Sequence, residues 1–441
     1  MSAIFCFALF LGAVILSLIR GIDLVWAVLL GMIVFTVRGL CKGYSMKYMA
    51  RAAWEQERKL LSVIVFFILI GGITAAWRSG GTIAYFIYYG VQIIRPKIFI
   101  LVTFLLSAIL GYTLGTSFGV VGTAGIILVA VARGGGVSEV VTAGAVLSGA
   151  YFGDRGAPAS SSAATVAAVT GTELVHNVRQ MMKTAVLPFG VSLAIYALLS
   201  LRHPITAVDA TLLNLLSQHF VLSFWVLLPA LLMLILPLIK VPVKWAMGLS
   251  MTAAFLSTVL VQRMGWGEAI RSLLLGYEPA ESDLSAIISG GGVLPMLRSM
   301  LVIWATGLYT GVLEGTEVLG GIMDRVKQLS EKIGLFPTAV AVSLLSAAIF
   351  CNQMIVIVLG EQLLSGVYEK KGSSREELAI DIENSGIVLA PAIPWNIAGS
   401  IPLGMMGVSA AAIPYAVLLY MIPLCYGLTK KRFYPQGKGK V

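Results

Sequence analysis

Apolar runs close to the ~20 residues that span a bilayer follow one another along the chain, among them Leu61 to Trp77, Ile98 to Gly111, Thr184 to Leu201, Phe220 to Ile239 and Ala411 to Leu428. The runs are continuous rather than alternating, so they predict helices and exclude barrel strands. Further helices are expected near 4 to 19, 22 to 37 and 243 to 262, giving about ten to thirteen spans, some of them broken or re-entrant. The fold class expected is therefore an all-α integral membrane protein.

Polar residues interrupt the apolar pattern at two related sets of positions. Leu105-Leu106-Ser107-Ala108 in the first half corresponds to Leu344-Leu345-Ser346-Ala347 in the second. Downstream of each comes a polar interruption, Thr113, Thr116 and Ser117 in one half and Asn352 and Gln353 in the other. A second break follows, Ser148-Gly149 leading to Pro158 and Ser385-Gly386 leading to Pro391. A glycine-spaced helix precedes each set, ending at Gly80-Gly81-Thr82 and at Gly315-Thr316. The chain is thus expected to divide into two N-terminal helices with a basic loop (1–60), a first repeat (61–202), linking helices with an acidic outer loop (203–283), a second repeat (284–428) and a basic tail (429–441).

Composition agrees with the pattern: of 441 residues 58% are hydrophobic and only 12% charged, with a mean hydropathy of +0.92. A soluble chain needs roughly a quarter of its residues charged. The net charge of +10 does not point to nucleic acid, because the basic residues cluster at helix ends. Arg38, Lys42, Lys47, Arg51, Arg58 and Lys59 form one group, and Lys430, Lys431, Arg432, Lys438 and Lys440 form another. By the positive-inside rule both groups, and with them both termini, are cytoplasmic, in a multi-pass protein of the cell (inner) membrane. The loop from Arg263 to Asp283 is acidic and belongs outside. The first repeat then starts inside and the second outside, which is an inverted repeat of the kind found in secondary transporters. The uncharged start before Ile4 to Ile19 lacks a cleavage site and is expected to be a retained helix.

Four scattered cysteines and three histidines offer no disulfide framework, metal cluster or catalytic grouping. No phosphate-binding glycine loop is present, so an ATP-driven pump is disfavoured. No cofactor is expected, and the protein is not expected to be an enzyme.

The chemistry is expected where polar residues sit beside glycine and proline, since an unpaired polar group in hydrocarbon is costly. In Gly149 to Ser162, Gly153, Gly156 and Pro158 are expected to break a helix. The freed backbone groups with Asp154, Ser160, Ser161 and Ser162 would replace part of an ion's hydration shell; alternatively Asp154 and Arg155 form a plain ion pair. The partner segment runs from Asp381 through Glu383, Asn384, Ser385 and Gly386 to Pro391, Pro394 and Asn396. Glu383 is either a proton carrier, as Asp154 would also be, or a residue of a solvated loop with Lys370, Lys371 and Arg375. Asn396, after two prolines, is the more specific sign of a liganding broken helix. Thr116 and Ser117 lie among Gly115, Gly119 and Gly122, a spacing that also suits close helix packing. Asn352 and Gln353 are expected to line a cavity.

These stretches resemble the NhaC family of sodium/proton antiporters in the wider ion transporter superfamily. Ser148-Gly-Ala-Tyr-Phe-Gly-Asp154-Arg-Gly-Ala-Pro158-Ala-Ser160 is similar to one family signature, and Glu383-Asn-Ser-Gly386 through Ile393-Pro-Trp-Asn396 to a second. Ser79-Gly-Gly-Thr-Ile83 to Tyr88-Tyr-Gly90 is similar to the start of the family's first repeat. The resemblance implies broken helices meeting at a midplane site near Asp154, Ser160 and Asn396, and exchange of sodium for protons, or in some relatives of sodium-coupled carboxylates. Two departures stand out. Ser160 is followed by Ser161-Ser162-Ala163-Ala164 where the family usually has Asp-Thr-Thr-Asn, and Asn384 stands where an aspartate is usual.

The function expected is secondary antiport of Na+, H+ or both by alternating access. The alternatives are coupled exchange of a small organic ion, a carboxylate or amino acid, and a channel or scaffold without coupling. The partners expected are the lipid bilayer, the transported ion or organic anion and, in one reading, a second copy as a homodimer, with no nucleic acid.

Overall fold

An apolar helix at bilayer depth can end only where a side chain or neighbouring backbone takes up the groups it frees. In the computed structural model those endings follow one pattern twice. The structure describes residues 3–20, 24–93, 96–202, 210–239, 241–281, 284–285, 288–316 and 323–434. Asp283, Glu317, Lys438 and Lys440 lie outside the described residues, as does the side chain of Glu314.

The helices are α1 (Ala3–Arg20), α2 (Leu24–Cys41), α3 (Met46–Ser79), α4 (Thr82–Ile93), α5 (Phe99–Leu114), α6 (Ser117–Gly134), α7 (Glu139–Gly156), α8 (Ser161–Thr170), α9 (Leu174–Arg202) and α10 (Ala210–His219). There follow α11 (Leu228–Leu238), α12 (Val243–Leu260), α13 (Trp266–Leu275), α14 (Val293–Gly315), α15 (Met323–Ile333), α16 (Leu335–Phe350), α17 (Gln353–Lys370), α18 (Arg375–Ile382), α19 (Ile397–Met406) and α20 (Val417–Phe433). A π turn, Glu383–Ile387, and a 3-10 turn, Ala390–Ala392, carry α18 onward. Among the described residues the one β pairing is an isolated bridge between Tyr277 and Gly290.

The outside of the molecule is apolar and charge is buried within it, the reverse of a soluble protein. Leu428, Val186, Trp225 and Trp245 are exposed, whereas Arg155, Glu383, Asn384 and Asn396 are buried. This is an all-α membrane protein. Among the described residues α6, α9 and α12 are long and apolar enough to cross a bilayer in one piece, and two bent pairs do so only across breaks of 100° and 50°. Two apolar runs of the sequence begin well before their helices: in the run from Phe220 the α-helix starts only at Leu228, and in the run from Ala411 only at Val417.

The two halves repeat without insertion. α5 and α16 each have 16 residues, and both end in a left-handed residue, Gly115 at φ 65° and Cys351 at φ 54°. An extended residue follows in each, Thr116 at φ −147° and Asn352 at φ −137°. Ser138 and Ser374 cap the next helices, Ser160 and Asn396 the ones after, and Gly171 and Gly407 close those in the left-handed region. All five residue pairs share one offset of 236 residues (351 − 115). The Leu-Leu-Ser-Ala match, offset by 239 (344 − 105), is three residues out of register. Apolar helix interiors carry little positional information, whereas caps admit only a few residue types. The structural partner of Ser107 is Ser343, and that of Ser148 is Asn384.

The breaks also fall differently from expectation. Gly153 lies inside α7, and the chain leaves the helix only at Ala157. The glycine serves a backbone crossing: a Cβ on Gly153 would lie 1.9 Å from the carbonyl carbon of Gly111 on α5. Gly386 likewise lies within the π turn, and the second break runs from Ala390 to Asn396, including Pro391 and Pro394.

Gly153→Val should therefore lower the melting temperature of the detergent-solubilised protein, by the equivalent of about 1–3 kcal/mol, as overpacking does. Gly190→Ala, on α9 with nothing within 4 Å of the added carbon, should not. Equal melting of the two variants would show that the α5–α7 crossing tolerates a side chain.

Candidate ion-binding site at the helix breaks

Gly115 brings the two breaks of the first repeat together. A Cβ there would lie 2.6 Å from the Ala159 carbonyl carbon, so the end of α5 rests on the turn between α7 and α8. Asp154 is buried in the last turn of α7, just ahead of this connection. Ser160 caps α8 by accepting from the Ala163 amide at 3.1 Å, and its hydroxyl donates to the Asp154 carbonyl.

The Asp154 carboxylate faces residues of both repeats. Ser162 Oγ donates to Asp154 Oδ2 at 3.2 Å, and Gln353 Nε2 donates to the same oxygen at 3.0 Å and to Ser162 Oγ at 3.0 Å. The Ser117 backbone amide also donates to Asp154, and the Ser117 side chain bonds to Tyr151. Ser117 and Gln353 are the first residues of α6 and α17 and are repeat-equivalent. Three helix N-termini, those of α6, α8 and α17, thus converge on one carboxylate. Ser161 is exposed.

In the second repeat Asn396, Asn352 and Ser385 bond to the protein's own backbone. Asn396 Oδ1 accepts from the Ala398 amide at 3.0 Å, and its Nδ2 donates to the Ala347 carbonyl at 2.9 Å. Trp395 Nε1 donates to the Ala348 carbonyl at 2.7 Å, and the Ile397 amide to that of Cys351 at 2.9 Å. The Pro-Trp-Asn turn therefore satisfies the carbonyls that α16 frees where it ends. Asn352 caps α17 through the Met354 amide at 2.9 Å. Ser385 donates to the Asp381 carbonyl at 2.6 Å and accepts from Ser343 at 3.0 Å. Thr116 makes no side-chain cap and is half-buried.

Arg155 was singled out only as an ion partner of Asp154. Neighbouring residues on a helix point ~100° apart, and Arg155 turns instead to the second repeat. Its Nε donates to Asn384 Oδ1 at 2.9 Å, and its Nη2 to the Met181 carbonyl at 3.0 Å and Thr184 Oγ1 at 2.9 Å. Glu383 is fully buried, not in a solvated loop, and acts through space on both Arg155 and Asp154. Arg155 Nη1, Asn384 Nδ2 and both Glu383 carboxyl oxygens lack hydrogen-bond partners. The signal in the sequence was the arginine itself: a permanent charge inside an apolar run needs a carboxylate from elsewhere in the fold.

A separate charged group lies on the same helix. Asp381 accepts from Tyr426 at 2.8 Å and from Tyr368, and forms an ion pair with Lys430, which also pairs with Glu377 at 2.7 Å. Tyr368 borders a polar cavity of about 240 Å³ that Thr170, Glu361, Glu369 and Arg375 also line. The cavity lies at the far ends of α8 and α17, the two helices whose N-termini carry Ser162 and Gln353. Among the described residues no group of His, Cys, Asp and Glu has the arrangement of a metal centre.

Discontinuous helices that meet around a buried carboxylate define a membrane transport protein of the broken-helix class. The family model described as "Na+/H+ antiporter family" matches residues 1–179 and 162–429. The chain belongs to that family, whose members are integral membrane antiporters and not enzymes. An "Uncharacterized Na(+)/H(+) antiporter" of Haemophilus influenzae is 28% identical over 83% of this chain and 81% of the relative. A "Malate-2H(+)/Na(+)-lactate antiporter" of Bacillus subtilis is 27% identical over 89% of this chain and 86% of the relative. The "Na(+)/H(+) antiporter NhaC" of Alkalihalophilus pseudofirmus is 24% identical over 82% of this chain and 79% of the relative.

The hydrogen bonds separate two roles. Asn396→Ala should reduce thermal stability by about 1–2 kcal/mol, through loss of a cap and a buried hydrogen bond, while the protein that remains folded keeps its apparent sodium affinity. Ser162→Ala should keep the melting temperature and weaken sodium. Melting curves of the two purified variants with and without sodium decide this, and the opposite pairing would return Asn396 to the ion site.

Proposed function

We propose that the protein exchanges Na+ for H+ by alternating access, with Asp154 as the shared ligand for sodium and proton. The observation that carries this reading is the buried Asp154 carboxylate, held at the crossing of the two repeats by Ser162, Gln353 and the Ser117 amide. A dehydrated sodium ion needs hard oxygen ligands. The Asp154 carboxylate, the Ser162 hydroxyl, the Gln353 carboxamide oxygen and carbonyls freed at the end of α7 are of that type. Glu383 is the second proton carrier, and Asn384 with Arg155 positions it. The two repeats run through the membrane in opposite senses, as their flanking charge supports, and the polar cavity beyond α8 and α17 opens on the cytoplasmic side with the basic end of α20.

A second reading is exchange of a small organic anion, and the specific observation that favours it is the pair of unpartnered buried donors, Arg155 Nη1 and Asn384 Nδ2. They suit a carboxylate, and one relative carries a malate–lactate antiporter's name.

In proteoliposomes, an outward sodium gradient should acidify the lumen, and Asp154→Asn should abolish that movement. Gln353→Ala should weaken apparent sodium affinity about tenfold, the loss expected for one charge-assisted hydrogen bond at ~1.4 kcal/mol. Sodium-driven proton movement that survives Asp154→Asn would remove the carboxylate from the site. Counterflow of labelled malate or lactate without any sodium-driven proton movement would favour the organic-anion reading.

A further inference from the structure

The groups buried around the two breaks can be counted as charges. Asp154, Glu383 and Arg155 are at most 5% exposed, and Arg155 acts on Glu383 through space while Glu383 acts on Asp154. The other polar residues that face them are neutral: Ser117, Ser162, Gln353, Asn384, Thr184 and Tyr151. Tyr426 also faces Arg155, but its hydroxyl is committed to Asp381. The Glu377–Asp381–Lys430 group is satisfied within itself and has the same charge whatever the ion site holds.

The site thus contains two carboxyl groups and one permanent cation. With both carboxylates ionised and no ion bound its charge is −1. A net charge at bilayer depth is strongly disfavoured, so the site is stable to cross the membrane in two forms. In one a sodium ion sits on Asp154, with Arg155 balancing Glu383; in the other one proton sits on one of the two carboxyls, with Arg155 balancing the other. A second proton would leave Arg155 without a counter-ion. Each form is neutral and differs from the other by one monovalent cation.

We infer that the buried pair of carboxyls, with Arg155 as its one cation, holds the exchange at one sodium for one proton, so that each cycle moves no net charge across the membrane. This rests on the sodium/proton reading above. The residue is a charge-compensating one and need not touch the sodium ion. Asn384 belongs to the same account: it gives Arg155 Nε an acceptor at 2.9 Å without adding a third carboxylate.

The test is the balance point of exchange in proteoliposomes under an imposed potential, set with potassium and valinomycin. For the wild type, the ratio of sodium gradient to proton gradient at which net flux stops should stay at one-for-one and not move when a potential of either sign is applied. Exchange of two protons per sodium would shift the balancing sodium ratio tenfold for every ~60 mV, and such a shift in the wild type would overturn the inference. Arg155→Lys retains the charge and should remain insensitive to potential; voltage sensitivity in this variant also overturns it. Arg155→Gln leaves a site of charge −2 whose neutral forms hold one sodium with one proton or two protons, so its balance point too should stay at one-for-one and not move with potential. An Arg155→Gln protein whose balance point moves with potential overturns the neutrality on which the inference rests. If that variant is inactive, the wild-type and Arg155→Lys balance points decide. Absence of any sodium-driven proton movement in the wild type would instead refute the exchange reading itself, and this inference with it.

Discussion

The constraint on which the structure depends is that backbone freed inside a bilayer must find a partner inside the protein. Each of the main helix breaks meets it with neighbouring chain. The α5 break rests on the turn at Ala159. The α16 break has its carbonyls at Ala347, Ala348 and Cys351 taken by Asn396, Trp395 and the Ile397 amide. Because each break is stabilised by the other break of its own repeat, the two must lie at the same depth. The candidate ion site is a consequence of that arrangement: Asp154 sits at one crossing, and Gln353 reaches it from the other.

Much of this was legible in the residues. Glycine and proline beside hydroxyls and carboxamides marked where helices had to break, and Asp154, Ser162, Gln353 and Glu383 came from those clusters. What was not legible has identifiable causes. Asn396, after two prolines, marks a liganding broken helix in the sequence, but a carboxamide at a helix start has two ends, and both are used by backbone. Gly153 was read as a helix breaker, although glycine equally permits two helices to touch, and only the partner Gly111 distinguishes the two. The register of the repeats was misjudged by three residues because Leu-Leu-Ser-Ala occurs in similar apolar helices at non-equivalent depths. Arg155 was judged by its sequence neighbour, whereas its side chain turns toward the second repeat.

The two repeats share a backbone plan but not their chemistry. At the shared offset, Asp154 corresponds to Ala390 and Glu383 to Leu147, while Ser117 and Gln353 correspond to each other. Two full copies of the site would place four carboxylates close together in a buried region, at a steep cost in repulsion and desolvation. Dividing the charged groups between the halves leaves one composite site, with a carboxylate and its cation, Asp154 and Arg155, in the first repeat and the second carboxylate in the other.

That division bears on how exchange is coupled. Arg155 is on the same helix as Asp154 but interacts with Glu383 and Asn384, so the charge state of the second repeat is felt by the first. If the repeats move relative to each other during transport, Arg155 spans the moving boundary, and its separation from Glu383 changes with conformation. An ionised Glu383 is stable only while Arg155 is near. On the proposed reading, occupancy of Asp154 and the position of Arg155 are linked through one electrostatic balance that takes residues of both repeats.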